Sequence, residues 1–507
     1  MRPVLLLLAA LAWPLAARAQ ASVEMHGVTL YDQAALLSYA DAVARQEAAP
    51  DLAATARVIE QLYHEDGWFL ARAWAFRDPV SGRQGIAVNE GGVRRIEVTG
   101  VEERAGNRIA AYLAPVMDGT PLRLDAYERA LMLAGDLAGI SLRSEFVPDP
   151  ATGEYRSVIH AQQRRYAVSA LVDNVPRASA VDAFVSGEAY SLLTTGDLAR
   201  VVVGGTSATD ATKPGFNGAA FYRVPIGNDG LYAEAFASNL VYTRDFDGTQ
   251  TERRNQRGEF YGAVLGYPVL RRIDQSLYLM LEADHRAIDV DGAEFTTDRS
   301  SALRVSAYYT SNDVQAPAFR LGLTLSFGDA YSASNTNVSP TFWHLRAVAG
   351  AVFRLGEPGQ GWALRLEGYA KYSPDTLTET ERMYLGDRER MRGYALGTAT
   401  GDTGAIGTIE LSRYIPVERG ILQSVTPSVF LDAGTVRKNS PYPAAPGTVL
   451  PGTLGERTVS LASVGVAWRA ILDRGFALSG WVGLPLSDDG TGVQYSPAAY
   501  VRLTKAW

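Results

Sequence analysis

Leu277-Tyr-Leu-Met-Leu-Glu-Ala-Asp-His-Arg286 decides how most of this chain folds. In an extended chain Leu277, Leu279, Leu281 and Ala283 share one face, while Tyr278, Glu282, Asp284 and Arg286 share the other, because successive strand side chains point to opposite sides. The split recurs where Trp362, Leu364, Leu366 and Ala370 oppose Arg365, Glu367, Tyr369 and Lys371. Beyond Tyr166 the chain continues as alternating ten-residue segments separated by turn signals, the pattern of a transmembrane β-barrel. The charged faces must look into a wet lumen, since an arginine facing lipid at mid-membrane costs roughly 2–4 kcal/mol.

Turn chemistry sets the strand number. Thr194-Thr-Gly-Asp197, Gly227-Asn-Asp-Gly230, Arg271 to Gln275, Ser311 to Gln315, Glu357 to Gly361, Val417 to Gly420 and Leu472 to Gly475 read as tight turns on one rim. Seven such turns imply eight loops opposite and sixteen antiparallel strands over residues 164–507, with both ends on the periplasmic side. The intervals 206–217, 243–257, 287–299, 327–340, 374–405 and 435–457 are polar and rich in Gly, Asp and Thr, and read as the long loops.

Ahead of the barrel the pattern mixes strands and helices. Val23 to Leu30 reads as a strand, Gln33 to Gln46 and Asp51 to Asp66 as helices, and Phe69 to Arg77 with Arg83 to Asn89 as a hairpin. The order repeats with a strand at 95–101, helices at 107–117 and 124–137, and a hairpin at 142–147 and 155–161 around Asp149 to Gly153. Residues 20–92 and 93–163 are therefore expected to be two small α+β units. Arg2, the apolar run Val4 to Leu15 and Ala17-Arg18-Ala19 read as a signal peptide over 1–19.

No later run of about twenty apolar residues could form a membrane helix. The absence of cysteine excludes a disulfide framework and thiolate metal sites. A net charge of −7 argues against nucleic acid as a partner.

Two short stretches stand out within the barrel. Met391-Arg392-Gly393-Tyr394 falls on the sixth of the eight loops, between strands eleven and twelve, and Phe430-Leu431-Asp432-Ala433-Gly434 on the thirteenth strand. Val429 and Leu431 facing lipid would turn Asp432 inward. A loop arginine in water gains little from pairing, but folded into a narrow lumen it can fork onto a carboxylate.

The β-α-α-β-β order closing on Val88-Asn89-Glu90-Gly91 resembles the POTRA domain. Together with the Arg392 and Asp432 stretches and Leu385-Gly-Asp387, Gly401-Asp402 and Glu410-Leu411, nearly the whole mature chain resembles the Omp85/TpsB superfamily, and within it the haemolysin secretion/activation transporters of two-partner secretion (ShlB/FhaC/HecB type). The resemblance implies two periplasmic POTRA domains followed by a barrel in the outer membrane of a Gram-negative bacterium. It implies that Arg392 docks on Asp432 and holds the sixth loop inside, that Met391, Gly393 and Tyr394 shape the tip, and that Phe430 and Gly434 flank the aspartate. The terminal strand, ending in the aromatic Trp507, resembles the signal read by the barrel-assembly machinery.

Asp387 stands where the family usually has a second glycine, and Met391 where valine is commoner. Family members often carry a pore-plugging helix before the first unit. With that unit starting at Val23, either the sixth loop alone closes the pore or the chain's true start lies upstream.

The function expected is a pore that takes an unfolded TpsA-like exoprotein from the periplasm to the surface or medium. The alternative is an Omp85-type insertase, although insertases usually carry three or more periplasmic units. A passive porin would have no use for the arm or the docked loop. Catalysis, cofactors and metals are not expected. His26, His64, His160, His285 and His344 lack metal spacing, Asp488-Asp489 reads as a solvated turn, and neither a phosphate-binding loop nor a G-x-S-x-G elbow occurs.

Overall fold

The computed structural model describes residues 23–45, 51–149, 154–177, 180–208, 215–245, 253–290, 296–312, 317–333, 335–356, 361–440, 458–487 and 496–507. The expected signal peptide, the Asp488-Asp489 turn and parts of the turns at 149–153, 311–315 and 357–361 lie outside the described residues.

The first repeat runs β1 (Glu24–His26), α1 (Gln33–Ala44), α2 (Leu52–Glu65), β2 (Arg72–Arg77) and β3 (Gln84–Asn89). Asp32 and Asp51 cap the two helices, accepting the Ala35 and Ala54 amides at 2.9 and 2.7 Å. Leu36, Ala40, Ile59 and Tyr63 then pack on Ile86 and Val88 of a sheet ordered β1-β3-β2. β1 is shorter than the strand expected over 23–30, because Gly27 (φ 79°) turns the chain and the next amides find another acceptor. Glu90 accepts from the Thr29 and Leu30 amides at 2.8 and 3.0 Å and from the Tyr63 hydroxyl at 2.7 Å. Burial alone would raise the Glu90 carboxyl, but these donors and the Thr29 hydroxyl outweigh it and hold it below its ordinary range.

The second repeat runs β4 (Val93–Thr99), α3 (Glu103–Leu113), α4 (Leu124–Gly135), β5 (Ile140–Pro148) and β6 (Tyr155–Gln163), with the sheet ordered β4-β6-β5. Each repeat thus inserts its last strand between the other two. The expected helix at 107–117 instead begins at Glu103 and gives way to a 3₁₀ turn at Ala114–Val116, because Pro115 cannot continue the α-helical bonding.

The chain divides into two compact units, Met1–Glu97 with Ala114–Tyr127 and Ser144–Val158, and Val98–Leu113 with Glu128–Arg143 and Ile159–Trp507. The division runs through the second repeat and leaves α3 and most of α4 with the barrel. Within that second unit Arg271 forks onto Asp136 at 2.7 and 2.8 Å, and Arg108 donates to Asn228 at 2.6 Å.

Sixteen antiparallel strands close the barrel, the sixteenth (Ala498–Ala506) pairing with the first (Tyr166–Asn174). The twelfth is one strand in two pieces, Thr403–Arg413 and Ile415–Arg419, both bonded to the thirteenth (Leu422–Arg437). Alternation sorts the faces: Leu279, Leu281, Val429 and Leu431 are 43–54% exposed to the lipid side, whereas Asp284 and Asp432 are 7% and 0% exposed. The intervals read as loops from 243, 287 and 327 are partly ladder. The fifth strand runs to Asp245, the sixth starts at Arg253, the seventh is Gln275–Val290, the eighth starts at Thr296 and the ninth ends at Ser332. Polar, Thr-rich segments pair as well as apolar ones above a membrane, since the ladder is a backbone property and β-branched residues suit it.

Candidate functional site

The sixth loop joins the eleventh strand (Trp362–Tyr372) to the twelfth and turns back into the lumen. Its stem is a short hairpin in which Met383–Leu385 pairs with Ala399–Gly401. The Gly397 amide bonds the Gly386 carbonyl at 2.9 Å and closes the tip. Within the tip the Asp387 carboxylate accepts the Glu389 and Arg390 amides at 2.6 and 2.5 Å, so a carboxylate serves a turn where the family resemblance leads to glycine.

Arg392 points at the wall formed by the twelfth and thirteenth strands. Register sets Thr408 opposite Asp432 and Glu410 opposite Phe430, giving one lumen-facing patch. The guanidinium forks onto Asp432 with both bonds at 2.9 Å, the Arg392 amide adds a third at 3.0 Å, and Nη1 reaches Glu410 at 2.7 Å. The Arg392 guanidinium carbon lies 3.5 Å from the Phe430 ring centre, and Thr408 donates to Asp432 at 2.9 Å. With Asp432 fully buried and Arg392 nearly so, the pair is dry, and removing one partner of such a pair costs about 3–5 kcal/mol.

The neighbouring residues shape the approach. Met391 sits in the left-handed region at φ 54°, a conformation that costs a non-glycine residue about 1–3 kcal/mol. Its burial with Leu385, Ile406, Val436 and Leu461 offsets that strain. Gly393 has φ 98°, and a Cβ there would meet the Gly483 carbonyl carbon at 3.1 Å. Tyr394 donates to the Ala462 carbonyl at 2.7 Å. A Cβ on Gly434 would lie 3.0 Å from Leu385 of the stem. Trp507 stands apart from this group, exposed just past the sixteenth strand, its amide on the Val168 carbonyl at 3.0 Å.

A second buried cluster holds the loop's base. Glu381 accepts from Arg304 on the eighth strand (Thr296–Ser311) at 2.7 and 3.1 Å and from Ser300 at 2.9 Å, and lies 2.9 Å from the His344 ring on the tenth (Thr341–Leu355). Lys371 donates to the Glu381 carbonyl, and Arg304 also forks onto Asp284 of the seventh strand. The side chains of Glu381, Arg304 and His344 are 1–3% exposed. Asp402 closes the base, accepting the Leu377 and Asn439 amides at 2.8 and 2.7 Å. Among the described residues no group of acids, histidines and cysteines is placed to hold a metal.

A barrel with a loop folded inside it and pinned at tip and base can be compared with known proteins. The family described as haemolysin secretion/activation protein ShlB/FhaC/HecB matches residues 158–458, more than half the chain. The chain belongs to this family. The hemolysin transporter protein ShlB of Serratia marcescens is 24% identical over 86% of this chain and 79% of its own length. The fold is also that of CdiB from Escherichia coli, with TM-score 0.70, 18% identity and coverage of 98% and 93%. It is shared with BamA from Haemophilus ducreyi lacking POTRA domains 1–3, with TM-score 0.57, 14% identity and coverage of 96% and 99%. As a ShlB/FhaC/HecB-family protein the chain is an outer-membrane β-barrel of a secretion/activation family.

In the sequence Glu410 stands out only as part of a family pattern, and nothing there gives Glu381, Arg304 or Lys371 a role. Glu381 and Arg304 are 77 positions apart, and only the inward phase of Asp284, Arg286 and Arg304 on neighbouring strands hinted at a charged patch awaiting a partner.

Proposed function

We propose that this protein is the outer-membrane pore of a two-partner secretion system, taking an unfolded TpsA-like exoprotein from the periplasm to the cell surface or medium. The two N-terminal repeats act as POTRA domains that catch the client by adding one of its strands to a sheet edge. The sixth loop obstructs the lumen at rest, and its tip leaves the wall when the client enters. Client folding outside the cell biases the movement. Trp507 ends the signal by which the barrel-assembly machinery inserts the protein.

The observation that carries this reading is Arg392, held dry between Asp432 and Glu410 on a loop that crosses the lumen. An ion pair that cannot be solvated without moving the loop makes a closed state that only a displacing client relieves. The test co-expresses the chain with a candidate large β-helical exoprotein and measures that exoprotein in the medium. Arg392→Ala is expected to abolish export while the barrel remains inserted at normal amounts. Unchanged export at equal barrel levels would contradict the reading.

A further inference from the structure

The sixth loop carries a second arginine that faces carboxylates of the barrel wall. Arg388 reaches across the tip to the first two barrel strands, Tyr166–Asn174 and Ala180–Tyr190. There it pairs with Asp182 and lies 3.8 Å from Asp173. We propose that Arg388 is a second docking residue of the sixth loop, so that the tip is a crossbar fixed at the thirteenth strand by Arg392 and, four strands further round the wall, at the first two strands by Arg388. This rests on the loop being the pore's obstruction, and it adds where the far end is held.

The wall site is built for a cation. Asp173 and Asp182 are direct register partners on adjacent strands, and like charges opposite each other destabilise a strand pair. Both point inward, with side chains 0% and 8% exposed. Arg502 and the Tyr500 hydroxyl serve one oxygen of Asp173 at 3.1 and 2.6 Å. The remaining oxygen of each aspartate has no hydrogen-bond partner among the described residues. The Arg388 guanidinium bonds the other oxygen of Asp182 and lies 3.8 Å from the unpartnered oxygen of Asp173, so its charge relieves a repulsion that the barrel's own residues leave only half compensated.

The main chain at Arg388 and just beyond it is held as well. The Trp481 indole donates to the Arg388 carbonyl at 2.8 Å, and Arg177 donates to the Gly393 carbonyl at 2.5 Å. Arg388 is therefore delivered to the aspartates by a fixed backbone and is no freely moving surface arginine.

The test uses the full-length protein in planar bilayers and in cells, comparing Arg388→Ala, Asp182→Asn and the exchanged pair Arg388→Asp with Asp182→Arg. Freeing one end of the crossbar is expected to raise open-state occupancy roughly fivefold, with a matching rise in uptake of a large excluded antibiotic, while Arg392 keeps export within about twofold of wild type. The exchanged pair is expected to return occupancy towards wild type, which a general loss of packing would not do. Asp182→Asn, which leaves the loop intact, serves if Arg388→Ala inserts poorly. Wild-type occupancy in both single variants, or an exchanged pair as leaky as either, would overturn the proposal. Loss of function by Arg392→Ala is scored separately by export, so a secretion reading that fails is told apart from a crossbar that fails.

Discussion

Arg392 is held by two carboxylates and an aromatic face at once, so its substitutions should separate charge from shape. Arg392→Lys keeps the charge but loses the fork and the flat face over Phe430, and export is expected to fall by roughly tenfold rather than vanish. Measured export equal to wild type would mean that a point charge is enough. At the base, Glu381→Gln removes one of the two anions that hold Arg304 and should destabilise the barrel by about 1–3 kcal/mol, seen as a lower temperature for losing heat-modifiable migration. Alternation alone turns Asp432 away from the lipid face of Val429 and Leu431, so its inward position is legible in a few residues. The partners of Glu381 are not, because Arg304 and His344 meet it only through the register of strands far apart in the chain. The same holds for Arg388, whose aspartates lie about two hundred positions earlier and look unremarkable until the ladder sets them opposite each other.

The elements of the barrel follow from a period of two and from turn residues, which is why their number and order are readable from sequence. Their ends are not, since a polar segment gives no sign of whether its backbone goes on pairing above the membrane. Leu431→Arg, on the lipid face one residue before Asp432, is expected to cost roughly 2–4 kcal/mol and reduce inserted barrel, whereas the lumen-facing Thr408→Ser should insert normally; outer-membrane fractionation compares them. In the first repeat Glu90 carries the acid response. Its carboxyl is depressed in the folded chain, so its stabilisation is present above the ordinary carboxylate range and is lost as pH falls through the lower folded value. The protection of β1 and α2 against hydrogen exchange, taken relative to the intrinsic rate at each pH, should therefore fall below about pH 4 in the full-length protein, and Glu90→Gln should remove that step. An unchanged acid profile in the variant would assign the response to another group.

At the scale of the whole molecule, a closed sheet removes its edges and leaves an interior that water would fill. The sixth loop occupies that interior through groups that cannot leave it cheaply, and in the function proposed above that loop is the gate. Family membership points to secretion, and the proposed gate rests on this chain's own contacts. The most direct measurement is exoprotein export by Arg392→Ala, Asp432→Ala and the double variant at matched barrel levels. If docking is one shared interaction, the double variant exports no less than the worse single variant, within about twofold. Multiplying losses, or a single variant exporting as wild type does, would contradict the docked loop as the working gate.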